Sequence, residues 1–338
     1  MPLSPKSRLS SIALLCAFAL LARHANAASP LRIVSLTPSV TEILFALGAG
    51  DEVVGVSQYC DYPPEVTRLP KVGSFLTPNL EAIVALHPTL VIGIGLSSEM
   101  REIRALRETG CSIMTIQDDS VAEIEDSIRA VGDKIGRSVA ARALLEKLNA
   151  QIDAVHSRVA TLPRVRVLML VGHEPLIAVG PGTYLDDLLK LANADNIADS
   201  INQQWPKLSV EYILAMRPEV ILDGQMGSDP AAPARYWQKY PSIPAVRDHR
   251  VYSYPGDPVL HAGPRIGTSL QILAALIHPD AFREPLGVGT SQDDDLQREN
   301  IGAGRRALRR CAGVFARATN GTNETSIRTA GFRPGERE

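Results

Sequence analysis

Residues 75–92 read Phe75-Leu-Thr-Pro-Asn-Leu-Glu81-Ala-Ile-Val-Ala-Leu-His-Pro88-Thr-Leu-Val-Ile92, and residues 205–222 read Trp205-Pro-Lys-Leu-Ser-Val-Glu211-Tyr-Ile-Leu-Ala-Met-Arg-Pro218-Glu-Val-Ile-Leu222. In each an aromatic precedes a glutamate by six residues. An apolar run at helical spacing follows, then a proline and a short aliphatic strand. A segment recurring at so long an offset predicts two similar lobes in one chain. A cleft between two lobes is a common place for a small molecule. The copies extend backwards: Leu47-Gly-Ala-Gly-Asp-Glu-Val53 parallels Leu191-Ala-Asn-Ala-Asp-Asn-Ile197.

Around the repeat, short aliphatic runs alternate with amphipathic ones from Leu31 onward. Strands are expected at Arg32–Leu36, Val53–Ser57, Leu90–Ile94, Ser112–Ile116, Arg166–Val171, Val220–Asp223 and Arg250–Tyr254. Helices are expected at Val40–Leu47, Leu80–Leu86, Met100–Thr109, Thr183–Leu191, Val210–Met216, Ala231–Tyr240 and Pro264–Ile277. This order predicts an α/β fold with mainly parallel sheets and crossover helices. Val121 to Val159 is different, a proline-free stretch with apolar residues at helical spacing and Gly132 and Gly136 as breaks. It predicts a stiff helical connection. The domain reading is a leader over 1–27, an N-terminal lobe over 28–135, a backbone helix over 136–162, a C-terminal lobe over 163–283 and a largely disordered tail over 284–338.

The leader has a secretory order: Lys6 and Arg8, an apolar run from Ile12 to Leu21, then Ala25-Asn26-Ala27. The apolar run is shorter than the roughly 20 residues a membrane helix needs, so the expectation is an exported, soluble, monomeric protein starting near Ala28. Export leaves 32 basic against 37 acidic residues, a net charge of −5. That balance gives no basic footprint for nucleic acid. Cys60, Cys111 and Cys311 remain, without the spacing of a zinc site. Buried structural thiols are expected at Cys60 and Cys111, and no cofactor or metal is expected.

No Gly-x-Ser-x-Gly elbow or phosphate loop is present. His173-Glu174 lacks a second histidine at helical spacing and reads as loop residues near the cleft. A secreted hydrolase built on that pair is the remote alternative. Glu81 and Glu211 each open a helix, where the helix dipole alone favours a carboxylate. Their equivalent places also fit two matching basic sockets on a partner. The scarce aromatics Tyr59, Tyr62, Phe75 and Trp205 stand in loops beside helix starts, and one from each lobe could clamp a flat apolar ligand. Asp257-Pro-Val-Leu-His261 is expected to be a loop at the strand C-termini, the end where open α/β sheets bind ligands. There His261 could contact a ligand, and Asp257 with Asp61 could accept from ligand amides.

Several of these runs have a familiar form. Arg32-Ile-Val-Ser-Leu-Thr-Pro-Ser-Val-Thr-Glu-Ile43 is similar to the opening of the helical-backbone periplasmic binding proteins. The likeness continues through Val54-Gly-Val-Ser-Gln-Tyr-Cys-Asp-Tyr-Pro-Pro64, residues 79–92, Trp205-Pro206 with Glu211, and Pro264-Arg-Ile266. It covers about residues 31–280. The branch most resembled is the cobalamin (vitamin B12)-binding one, which serves ABC importers. The resemblance implies that the chain binds a corrinoid in the periplasm and performs no chemistry on it. It implies that Glu81 and Glu211 dock each lobe on arginines of the membrane permease. It also implies that Tyr59, Phe75 and Trp205 line the cleft and that Asp257 contacts the corrin periphery. Departures are clear: His261 replaces an arginine, aliphatic residues replace aromatics near Ile94, Val171 and Ile177, and a C-lobe cysteine pair is missing, with Ala192 at one of its places. Haem binders on this scaffold supply a tyrosine where Ser74 stands. Haem, a ferric siderophore or another metal chelate is the alternative cargo.

Overall fold

The computed structural model describes residues 30–97, 99–224, 229 and 231–282, and of Asp257 the backbone only. The leader and the tail, with Cys16 and Cys311, lie outside the described residues. All described residues belong to one compact unit ending at Phe282.

Two sheets form the frame. The first contains β1 (Ile33–Ser35), β2 (Val53–Val56), β3 (Leu90–Ile94) and β4 (Ser112–Ile116), all parallel, in the order β2-β1-β3-β4. In the second, β5 (Val165–His173) pairs in parallel with β8 (Val220–Asp223), which pairs in parallel with β9 (Val251–Tyr252). The other edge of β5 is shared. β7 (Ala194–Asn196) runs parallel to its first half, and β6 (Leu176–Ala178) returns antiparallel along its second half. Without β6 the order is β7-β5-β8-β9, the same crossover pattern as the first sheet. The repeat seen in the sequence is therefore a repeat of topology.

Alternation along the strands divides each lobe into two apolar layers. Ile33, Leu90 and Ile92 face one side of the first sheet, where α1 (Pro38–Ala46) and α4 (Val121–Lys134) cover them. Val34 and Val91 face the other, under α2 (Leu80–Ala85) and α3 (Arg101–Glu108). In the second sheet Val167, Met169, Val220 and Leu222 point to α6 (Tyr184–Leu191) and α11 (Ile266–Ile277). Leu168, Leu170 and Ile221 point to α7 (Val210–Met216), α8 (Ala232–Trp237) and α9 (Pro244–Arg247). The 22-residue helix α5 (Ser138–Val159) joins the lobes. Its Leu148, Ile152, Val155 and Val159 belong to one apolar cluster that runs from Ile33 in the first lobe to Leu273 in the second. The lobes thus share a core along the inner helices.

Three pairs of left-handed residues fall at matching places, each between a helix and the next strand. They are Gly48 and Asn193, His87 and Arg217, and Gly110 and His249. A residue in this conformation ends a helix by taking up its last carbonyls. The first pair moves the alignment of the copies by one residue, because Asn193 and not Ala192 turns the chain where Gly48 does. Gly136 (φ +72°) separates α4 from α5, whereas Gly132 stays inside α4, where a Cβ would come within 2.5 Å of the Ala141 Cβ.

The structure differs from the sequence expectation at several places; among them, the short helix α9 was not expected and the last strand is shorter than Arg250–Tyr254. β5 runs two residues beyond Val171 and turns back into β6. The expected helix over Ala231–Tyr240 ends at Trp237. Gly256–Leu260, expected as a loop, folds into the short helix α10.

Candidate ligand site at the strand C-termini

The expected ligand contacts occupy loops that follow or flank strand ends, and backbone pairing fixes most of them. After β2, Gln58 N donates to Gly73 O (2.8 Å) and Val72 N to Val56 O (3.0 Å), so the segment carrying Tyr59 lies beside the one carrying Phe75. Phe75 and Leu76 form the tip of a tight turn. At its base the Ser74 and Thr77 hydroxyls are 2.9 Å apart, and Thr77 N donates to Ser74 Oγ (3.1 Å). Ser74 is buried and has a structural task. Tyr59 is 58% exposed and Phe75 37%.

In the second lobe Trp205 is 44% exposed. Its loop is fastened to the β6 edge: Gly180 N donates to Gln204 O (2.8 Å), Ala178 N to Pro206 O (3.0 Å) and Leu208 N to Leu176 O (3.0 Å). A Cβ at Gly180 would come within 2.0 Å of Gln203 O, so only glycine lets the two backbones approach this closely. The strand not anticipated from sequence is thus what holds Trp205. The signal for it was short, three residues behind Glu174-Pro175.

Glu81 and Glu211 hold the same helical position. Asn79 and Ser209 cap α2 and α7, accepting from Ala82 N (3.0 Å) and Tyr212 N (3.2 Å). Each glutamate is the second residue of its helix and exposed, while Ile83 and Ile213, two residues on, are fully buried. Burying such a side chain contributes about 1.5–3 kcal/mol, which fixes the face each glutamate presents. Hydrogen bonds from its own backbone and from Ser209 hold the Glu211 carboxyl below the usual range.

His261 faces another way. Its Nδ1 is 2.9 Å from Glu42 Oε1, and its ring serves the lobe junction. Glu42, on α1, has only 1% of its side chain exposed, and Arg265 grips it as well: Nε donates to Oε2 (2.7 Å) and an Nη to Oε1 (2.5 Å). The Arg265 guanidinium lies 4.0 Å over the Tyr62 ring. This assembly, missed in sequence reading, could be suspected only from Glu42 and Arg265 as charges inside apolar helical runs. The Asp257 side chain lies outside what the structure describes. Asp61 is exposed.

His173 ends β5 and stands 3.1 Å from Asp223 Oδ2 at the end of β8. Glu174, beside it, is exposed. A groove of about 830 Å³ opens along α1, lined among others by Glu42, Phe45, Tyr62, Leu144 and Arg265. It does not include Tyr59, Phe75 or Trp205, and Gly50, Asp51 and Val53 in its wall enter β2 from the N-terminal end. The loops at the strand C-termini lie apart from this groove, at the end where open parallel sheets commonly bind ligands. Cys60 and Cys111 are buried free thiols, and burial pushes both up. Among the described residues no three His, Cys, Asp or Glu side chains converge as a metal site would require, and no helix is long and apolar enough to cross a membrane.

Comparison with known proteins places this geometry. Residues 33–258 match the family described as periplasmic binding protein. An ABC transporter substrate-binding lipoprotein of Bacillus subtilis is 31% identical over 262 residues, 75% of this chain and 82% of its own. The vitamin B12-binding protein of Vibrio cholerae is 28% identical over 234 residues, covering 69% of this chain and 84% of its own. Among solved structures, a periplasmic heme-binding protein from Roseiflexus sp. RS-1 superposes with a TM-score of 0.67 at 30% identity, over 75% of this chain and all of that one. With two parallel α/β lobes joined by a helix and a match over two thirds of its length, the chain belongs to the periplasmic binding protein family of ABC importers.

Proposed function

We propose that this protein is the extracytoplasmic, non-enzymatic receptor of an ABC importer and that it carries a corrinoid between its lobes. The observation that carries this reading is the pair of half-exposed aromatics, Phe75 and Trp205, presented from corresponding loops of the two lobes. Large exposed rings on tied backbones offer flat apolar surface at low ordering cost. Tyr59 extends the N-lobe wall. Exposed carboxylates in matching helical positions suit a partner with two basic sockets, so Glu81 and Glu211 are assigned to the permease.

Calorimetric titration of the purified protein with cyanocobalamin, haemin and a ferric siderophore tests the cargo. Cyanocobalamin binding is expected, with Trp205→Ala weakening it by about 1–3 kcal/mol, the scale of a lost buried aromatic contact. Haemin binding with no response to cyanocobalamin transfers the same walls to haem. A response to none of the three, with hydrolytic activity instead, overturns the receptor reading.

A further inference from the structure

One carboxyl of the first lobe stands without a counter-ion where the two lobes meet. Asp118 lies two residues beyond β4, at the same end of the first sheet from which the Tyr59 segment departs after β2. It is half-buried, so part of it remains open. Ser39, the second residue of α1, gives it a hydroxyl hydrogen bond. Beside Ser39 stands Gly263 of the second lobe, where a Cβ would come within 3.6 Å of the Ser39 Cα. The charge of Asp118 also reaches Tyr184 on α6, a buried ring whose hydroxyl donates to Val259 O in α10 (3.1 Å). Elements of both lobes therefore surround this carboxyl at the strand C-termini.

The charges around it are of its own sign or already paired. Asp119 and Glu123 act on it from its own loop and from the first turn of α4. From α6, Asp187 lies close by, accepting from Val121 N (3.0 Å). Glu42 on α1 is held by Arg265 and His261 of the second lobe. Among the described residues no basic side chain pairs with Asp118. Burial and the acidic neighbours push its carboxyl up to about 6. A ligand covering it would add desolvation, which disfavours the charged form further. We infer that Asp118 is a ligand contact on the floor of the cleft and meets its cargo as the neutral acid, its O–H donating to a carbonyl oxygen at the ligand's edge. Binding then takes up one proton. The group selected is a neutral acceptor such as an amide, whereas a cationic group would select the carboxylate and release a proton. The inference rests on the proposed function, since it needs a ligand between the lobes.

Cyanocobalamin is the probe, because its rim carries amide carbonyls and none of its groups titrates between about pH 5 and 8. Its affinity for the wild-type protein should fall about tenfold from pH 5 to pH 7, since only about a tenth of a carboxyl titrating near 6 is protonated at pH 7. Calorimetry at about pH 7.5 in two buffers of different ionisation enthalpy should show about one proton taken up per ligand. Asp118→Asn keeps a donor and cannot ionise. It should bind at neutral pH nearly as tightly as the wild type does at about pH 5, with no proton uptake. Asp118→Ala should bind weakly at both. A wild-type affinity independent of pH, or proton release on binding, overturns the inference and leaves the receptor reading standing. A pH dependence that survives in Asp118→Asn also overturns it and assigns the proton to a histidine such as His261. No binding of cyanocobalamin at either pH overturns the corrinoid reading and this inference together. The wild-type proton count remains a test even if a substituted protein does not fold.

Discussion

Asp118 shows how one carboxyl reports the join between the lobes. It lies two residues beyond the end of β4, and burial first, then the charges of Asp119 and Glu123, push it up to about 6 against a hydrogen bond from Ser39. Its charge, after burial, is also what pushes the Tyr184 hydroxyl of the second lobe up. A carboxyl raised on folding stabilises the protein below its unfolded value near 3.8, and that contribution is lost as the pH rises through about 6. Asp118→Asn should therefore stabilise the protein at pH 7–8 by about 1–3 kcal/mol and leave it unchanged near pH 3.5. Urea midpoints across that range check it, and a uniform gain at every pH would assign the effect to packing. Ser74 gives a second residue-scale lesson. Its type and place were legible in sequence, but its bond to Thr77, which gives it a structural task, depends on a turn that only the fold supplies.

At the scale of elements, the duplicated segment was legible because each copy combines a capped helix, a left-handed stop and a strand, all encoded within eighteen residues. β6 and α10 were not legible. β6 has three residues and owes its existence to its hairpin with β5 and to the loop of Trp205, which is distant in sequence. α10 contains Gly256 and Pro258, poor helix formers that tertiary context overrides. The alternation Ile33/Val34 and Val167/Leu168 was visible, but nothing in it said that the inner layers of both lobes join into one core. The hinge of α4 and α5 yields a direct test. Gly136 has φ +72° with open space around its Cα, so Gly136→Ala should cost only the left-handed penalty, about 1–2 kcal/mol. Gly136→Asn should cost less, and equal losses would mean that the turn relaxes. For α2 and α7, Glu81→Ala/Glu211→Ala should retain wild-type ligand affinity and melting temperature while uptake through the importer is lost. Normal uptake by that variant would return both residues to helix capping.

The two lobes are joined by more than their shared helix. At the far side of α1 the buried Glu42 receives Arg265 and His261 from the second lobe, and Tyr62 covers the guanidinium. Nearby, Val121 N at the start of α4 donates to Asp187 Oδ2 on α6 (3.0 Å). These contacts cross between lobes whose apolar layers are already continuous through Leu148 and Ile152. Such a junction resists wide hinge opening, so under the proposed function the aromatic walls would be largely in place before a ligand arrives. The charge cluster should contribute more to the register of the lobes than to net stability, because burying a pair costs desolvation that its attraction only partly offsets. Removing one partner exposes the difference. Arg265→Met leaves the Glu42 carboxylate buried and poorly neutralised and should cost about 3–5 kcal/mol, and Glu42→Gln should cost less because Arg265 keeps Tyr62. Glu42→Leu/Arg265→Met removes both charges and should recover most of the loss. Urea denaturation gives the coupling from the shift in midpoint, and losses that simply add would show the two charges to be independent. The decisive second reading is ligand affinity in the double variant. Recovered stability with weakened binding would mean that the buried charges hold the walls of the cleft at their working separation, whereas recovery of both would leave that spacing to the apolar core alone.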